Sequence, residues 1–307
     1  MSNYVILFGI RFNINPIAFT LPIGDGWSVY WYGIIIALGF LAAVVYGYIM
    51  AKKMGINIDR MLDAVLVTTP VAILCARLYY VIFDDNKIDS IKEFFGFGGA
   101  GFAGLAIYGA VIGAFACGFV MCKLRKLNVL DMFDLAAVGF ILAQGIGRWG
   151  NFVNQEAYGI ATGSSWWGMT GNRIAAQMGD QLVHPCFLYE SIWCIAGFFL
   201  LNYLIRNRKF KGQVILAYCA WYGFMRTFLE LLRTDSLMLG SIRVSSLLSF
   251  ALCITGVAVT VYVLKRQKVE AANAEYESLF EDETVLDSEE NSETTPEENV
   301  EEETEND

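Results

Sequence analysis

Long apolar runs separated by short polar clusters recur along this chain at lengths that match a lipid bilayer. The run from Trp27 to Met50 carries no charge, opens with Trp27, Trp31 and Tyr32, and stops before Lys52 and Lys53. About 20 apolar residues suffice to cross hydrocarbon, and aromatic residues gather at the borders of such spans. Ala64 to Phe83 is a second run, with Pro70 and Arg77 inside it. The uncharged stretch Phe94 to Cys122 opens with glycines between Gly96 and Gly104, which predicts a loop or re-entrant turn before a third helix from near Ala106. Small residues at Gly109, Gly113, Ala114 and Gly118 would let neighbouring helices approach closely. Leu135 to Gly147 crosses only when extended by the Asp131 to Asp134 turn at one end and Trp149 at the other. Pro185 to Ile205, Val214 to Leu232 and Val244 to Leu264 bring the predicted spans to seven.

The segments between the runs complete the plan. Met1 to Asp25 is too interrupted to span and is expected to lie as an amphipathic segment at the surface, with no removable signal peptide. Gly150 to His184 is polar, glycine-rich and contains Trp166 and Trp167, which predicts a small lobe seated at the interface. Composition agrees with a membrane protein, at 56% hydrophobic residues and a mean hydropathy of +0.46. The net charge of -9 hides a division: 17 acidic residues and no Lys or Arg lie in Val269 to Asp307. Two domains are therefore expected, a membrane body over 1–268 and an acidic, disordered cytoplasmic tail over 269–307. The seven cysteines fall mostly in apolar runs and read as small buried thiols rather than a disulfide framework.

Lys and Arg collect on the cytoplasmic side of membrane proteins. Thirteen of them cluster at Lys52 to Arg60, Lys123 to Lys126, Arg206 to Lys211 and Lys265 to Lys268, whereas the opposite ends carry five: Arg11, Lys87, Lys92, Arg173 and Arg243. The expected fold is thus an all-α integral membrane protein with seven transmembrane helices. Its N-terminus is outside, its C-terminus cytoplasmic, and a small extracytoplasmic lobe joins helices four and five.

That topology brings the polar groups to one level, towards the outer leaflet. Arg148, Asn151, Asn154 and Glu156 end the fourth span, and Gly159 closes the same stretch. Tyr222, Arg226, Glu230 and Arg233 form one stripe of the sixth span at helical spacing. Tyr32, Tyr108, and His184 with Tyr189 and Glu190 open the spans that run inwards, and Arg77 lies in the outer half of the second. Each has a plainer reading. Arg226 and Glu230 form an i,i+4 pair, Arg77 could snorkel, Tyr32 suits an aromatic belt, and His184 suits holding the lobe better than catalysis. Glu190 is expected to answer one of the arginines. Taken together, charged groups inside apolar helices mark a function. Arginine forks match phosphate oxygens, and amides and tyrosines match hydroxyls and carbonyls, so a phospholipid head group fits the set. No phosphate-binding glycine motif of a nucleotide enzyme and no metal-like cluster occurs, so no cofactor, metal or nucleic acid is expected. A lipid scramblase would need a polar path to the inner side, and a seven-helix receptor would not need two intramembrane arginines.

The stretch Gly147 to Gly159, G-R-W-G-N-F-V-N-Q-E-A-Y-G, resembles the signature of the bacterial prolipoprotein diacylglyceryl transferases. Tyr30 to Gly39 (Y-W-Y-G-I-I-I-A-L-G), His184 to Glu190 (H-P-C-F-L-Y-E) and Tyr222 to Arg233 (Y-G-F-M-R-T-F-L-E-L-L-R) are similar to further elements of that family. The resemblance implies transfer of the diacylglyceryl group of phosphatidylglycerol to the lipobox cysteine of a preprolipoprotein, in the bacterial cytoplasmic membrane, with glycerol phosphate released. It also implies that Arg148 and Arg226 hold the phosphate, that Asn151, Asn154 and Glu156 shape the pocket, and that Glu230 fixes Arg226. Tyr108 and Tyr32 would orient the reacting carbon or the thiol. Gly159, Tyr222, Arg233 and His184 belong to the substrate-binding elements on the same ground. One departure stands out: where many members open an H-G-G-L-I-G turn with histidine, this chain has Tyr108 in Y-G-A-V-I-G. A phenol is a poor base at neutral pH, but a thiol with a reference pKa of about 8.5 becomes more acidic beside arginines, so no dedicated base is required.

Overall fold

The computed structural model describes residues 3–22, 27–83, 104, 106–233, 238–239 and 242–293. Two compact units result, 1–257 and 258–307. In the first, long helices carry the body: α1 (Trp31–Lys53), α2 (Ile58–Phe83), α3 (Ile107–Leu124), α4 (Val129–Asn154), α6 (Cys186–Arg206) and α7 (Gln213–Leu232), with a short α5 (Asn172–Met178) between α4 and α6. The last helix, α8, covers Val244–Glu293.

Helix α4 is the central element and packs on α1, α6 and α7. Its buried face includes Leu135, Ala137, Val138, Gly139 and Ile141, and it meets Met50, Ala51, Cys194, Leu201 and Val214 in one core. Helices α2 and α3 form a separate pair whose close approach depends on small residues. A Cβ on Gly113 would run into Cys75, and one on Gly109 into the α2 backbone. The outward faces carry large apolar side chains such as Leu66, Ile112, Phe199 and Tyr203, as expected where lipid rather than water is the solvent.

Among the described residues six helices are long and apolar enough to cross a membrane, and the protein is a multi-pass membrane protein. The expected sixth span, α7, is not among them, because Arg226, Glu230 and three tyrosine or tryptophan side chains lower its hydropathy. The body is mostly helical, as expected of an all-α membrane protein, with short strands added beside the helices. Tyr4–Leu7 (β1), Ile10–Asn13 (β2) and Met169–Gly171 (β5) form an antiparallel sheet in the order β2-β1-β5. Ile17–Leu21 (β3) pairs with Trp27–Tyr30 (β4). The N-terminal stretch is therefore strand rather than an amphipathic surface segment, since it is rich in β-branched and aromatic residues and its strands find partners. For the same reason the first helix starts at Trp31, not Trp27. The sheet closes over a small core of Val5, Phe152, Val153, Met169, Ile174, Val183 and Phe187.

Two further boundaries differ from expectation. Helix α4 runs on to Asn154, so Gly150 to Asn154 belong to the helix and the lobe begins later. Helix α8 continues to Glu293, through much of the stretch whose acidity predicted disorder. No Gly or Pro interrupts residues 265–293, and Arg266 pairs with Glu270 one turn on at 2.7 Å. The expected loop or re-entrant turn between Gly96 and Gly104 lies outside the described residues except for Gly104 itself.

Candidate active site

The site is assembled where α4 ends. Gln155, the residue after that helix, adopts a left-handed conformation with φ 53°, and Ala157 does so with φ 54°. Two non-glycine residues in that region, with only Glu156 between them, make a tight reversal. The reversal folds Glu156 back on its own helix. Its amide donates to the Asn151 carbonyl at 3.0 Å. Its Oε1 accepts from Asn151 Nδ2 at 3.1 Å and from Asn154 Nδ2 at 3.5 Å. Asn151 in turn accepts from Arg148 Nη1 at 3.4 Å. The four polar residues of the stretch thus form one connected row.

Gln155 locks the turn from below. Its side chain is buried, donates to the Tyr4 carbonyl at 3.1 Å and accepts the Arg173 amide at 2.8 Å. The paired strands β1 and β5 and helix α5 are thereby tied to the end of α4. The ring of Tyr32 on α1 is packed against Gly150, where a Cβ would strike it, within electrostatic reach of Arg148 and Glu156.

Glu190 of α6 is the hub of the cluster. It is 2% exposed. Arg148 Nη2 meets its Oε1 at 2.5 Å, Tyr222 donates its hydroxyl to the same oxygen at 3.0 Å, and Arg226 Nη1 stands 3.7 Å from Oε2. Arg226 Nη2 also pairs with Glu230 at 2.7 Å, one turn further along α7. Three helices, α4, α6 and α7, therefore bring two guanidiniums and two carboxylates into one buried group. Glu190 was expected to answer one arginine and answers both. Its place at the start of an apolar run was a visible sign of burial, but the sequence could not say which cations it would meet.

The remaining expected residues occupy the surroundings. The Gly159 amide donates to the His184 carbonyl at 2.9 Å, and Gly159 forms a bridge with Arg233. His184 Nδ1 lies 3.1 Å from the Tyr189 hydroxyl, which also accepts from Trp167 Nε1 at 2.9 Å. Gly159, His184 and the Arg233 backbone thus tie the lobe to the ends of α6 and α7. Arg77 is buried rather than snorkelling, and donates to the Gly104 carbonyl at 2.9 Å. Tyr108 opens α3, with its hydroxyl 3.3 Å from Ser245 Oγ and its ring beside Tyr79. Its contacts are with α8 and α2, not with the arginine cluster.

An apolar groove lies alongside the cluster, lined by Ile35, Leu38, Ile146, Trp149 and Ile195 from α1, α4 and α6. Trp149 follows Arg148 directly and donates to Ser191, the neighbour of Glu190, at 3.2 Å. The arginine cluster and the apolar groove are therefore joined through neighbouring residues of α4 and α6. Among the described residues no group of His, Cys, Asp and Glu has the arrangement of a metal site.

The family model for prolipoprotein diacylglyceryl transferase matches residues 16–262. The phosphatidylglycerol–prolipoprotein diacylglyceryl transferase of Clostridioides difficile (strain 630) is 40% identical over 256 residues, covering 83% of this chain and 98% of the relative. That of Limosilactobacillus reuteri (strain DSM 20016) is 42% identical over 274 residues, covering 85% and 94%. Phosphatidylglycerol–prolipoprotein diacylglyceryl transferase 1 of Clostridium perfringens (strain 13 / Type A) is 42% identical over 259 residues, covering 83% and 97%.

Proposed function

The chain belongs to the prolipoprotein diacylglyceryl transferase family, and from that premise we propose a part for each residue of the cluster in the reaction. The enzyme is a transferase of the first step of lipoprotein maturation, with phosphatidylglycerol and a prolipoprotein as substrates. The acceptor is the thiol of the lipobox cysteine. The thiolate sulfur attacks the glyceryl carbon that carries the phosphate ester, the carbon–oxygen bond breaks, and glycerol phosphate leaves with the electron pair. A thioether remains in the membrane, and the thiol proton passes to solvent.

The observation that carries this reading is the convergence of Arg148 and Arg226 from two helices on one carboxylate. Groups that both reach Glu190 lie close enough together to grip one phosphate. They would hold the phosphodiester and then stabilise the charge that grows on the departing phosphate, an electrostatic role needing no proton transfer. Glu230 orients Arg226. Asn151, Asn154 and Glu156 take the glycerol hydroxyls of the head group, with Tyr32, Tyr222, His184, Gly159 and Arg233 shaping its surroundings. The groove beside Trp149 suits an acyl chain. Tyr108 orients the reacting carbon or the thiol.

In this reading α7 crosses as a seventh span, the cluster faces the outer leaflet of the cytoplasmic membrane, and residues 269–307 extend into the cytoplasm outside the catalytic domain of 1–268. The test is incubation of the purified protein with labelled phosphatidylglycerol and a lipobox peptide, followed by detection of the thioether product. Arg148→Ala and Arg226→Ala should each lower the rate about a thousandfold while the protein still inserts. Wild-type rates in both would remove the phosphate grip.

A further inference from the structure

Glu190 occupies the position between the two guanidiniums that a phosphate would need. The arrangement is lopsided. Arg148 holds one carboxylate oxygen at 2.5 Å, while Arg226 Nη1 reaches the other only to 3.7 Å, too far for a hydrogen bond. That Nη1 is buried and has no hydrogen-bond partner among the described residues. A buried guanidinium donor without an acceptor is costly, so the cluster retains a donor that an incoming oxygen could satisfy. Its formal charge is already balanced, with Arg148 and Arg226 against Glu190 and Glu230. Arg148 gives Nη2 to Glu190 and Nη1 to Asn151, so a phosphate that reaches beyond the free Nη1 of Arg226 to take Arg148 Nη2 must compete with Glu190 for it.

We infer that Glu190 is a built-in competitor for the phosphate: a positioning carboxylate that holds Arg148 and Arg226 converged in the empty site, yields them to the phosphodiester, and pairs with them again as glycerol phosphate leaves. The inference rests on the phosphate grip set out above. Its physical basis is the change in charge along the reaction. The bound diester carries one negative charge, whereas the product is a phosphate monoester carrying more, and two bare guanidiniums would hold it more tightly than the substrate. A tethered carboxylate offsets that difference by competing at every turnover. Glu230 keeps its own bond to Arg226 through α7, so the exchange need not disturb that arginine's direction. Tyr222 holds Glu190 Oε1 at 3.0 Å and limits how far the displaced carboxylate travels.

Calorimetric titration of glycerol phosphate into the full-length, detergent-solubilised protein tests this. Glu190→Gln should bind glycerol phosphate about tenfold more tightly than wild type, because one opposing charge is gone. KM for phosphatidylglycerol and kcat should fall together, since substrate binds better and product leaves more slowly. Unchanged or weaker binding in a variant that melts like wild type overturns the proposal. Should Glu190→Gln not fold, Glu190→Asp serves, its shorter arm being unable to reach both guanidiniums; tighter binding supports the competitor, and equal or weaker binding overturns it. Arg226→Ala separates the two readings. If it binds glycerol phosphate like wild type, the phosphate grip itself fails; if it loses binding while Glu190→Gln shows no tightening, only the competitor role fails.

Discussion

Two buried ionic clusters join α4 to α7, and they are built in opposite ways. At the start of both helices, Asp134 is fully buried and accepts the amides of Gly212, Val214 and Ile215 at 2.9 to 3.0 Å, as well as Arg208 Nη1 at 2.9 Å. Asp131 beside it takes Arg208 and Lys211. At the other end, Glu190 meets only side chains, and one of its arginines keeps a buried donor without an acceptor. Asp134 caps the first turn of α7, whose free amides need an acceptor. Its lone pairs are committed to backbone that cannot move without unwinding the helix. Glu190's partners are side chains that can be given up one at a time. Charge and burial are alike in the two clusters, so neither property separates scaffold from site; the kind of partner does.

Substitutions can break this contrast. The largest effect on stability is expected from Asp134→Ala, which takes the acceptor from three amides at the start of α7 and leaves Arg208 with Asp131 alone; about 3–5 kcal/mol should be lost, seen as a fall in melting temperature in detergent. The folded fraction should keep wild-type transfer per molecule. A stable but inactive Asp134→Ala would make that end part of the chemistry. Smaller, and confined to function, is Glu156→Gln. The amide retains one acceptor for Asn151 and loses the charge, so KM for phosphatidylglycerol should rise about tenfold with melting unchanged, as lipid-dependent initial rates would show.

Tyr108→Phe should do less still. It removes a 3.3 Å hydrogen bond to Ser245 and no contact with the arginines, so transfer should stay within about threefold of wild type. Near-complete loss with the fold intact would make the phenol a chemical participant. The least effect is expected from deleting residues 269–307, which lie beyond the region matched by the family model. Rates in detergent should not change, and a large drop would draw the tail into catalysis.

What the chain's own pattern determined is substantial. Run lengths and aromatic borders located the apolar helices, because lipid demands continuous apolar surface whatever lies next to it, but not all their ends: α2 begins six residues before the expected Ala64, α4 runs on to Asn154 and α8 to Glu293. The polar residues of Gly147 to Gly159 and the stripe from Tyr222 to Arg233 were visible because ionisable groups in apolar helices are rare. Local spacing also paired Arg226 with Glu230. Tertiary structure decided the rest. The paired residues Leu7 and Met169 are more than 160 residues apart, and a strand with a distant partner shows no period that betrays the pairing. Glu190 and Asp134 are both carboxylates at the ends of apolar runs, indistinguishable as sequence. Only packing set one against two arginine side chains and the other against the first amides of a helix, since partner choice follows from three-dimensional distance and not from spacing along the chain.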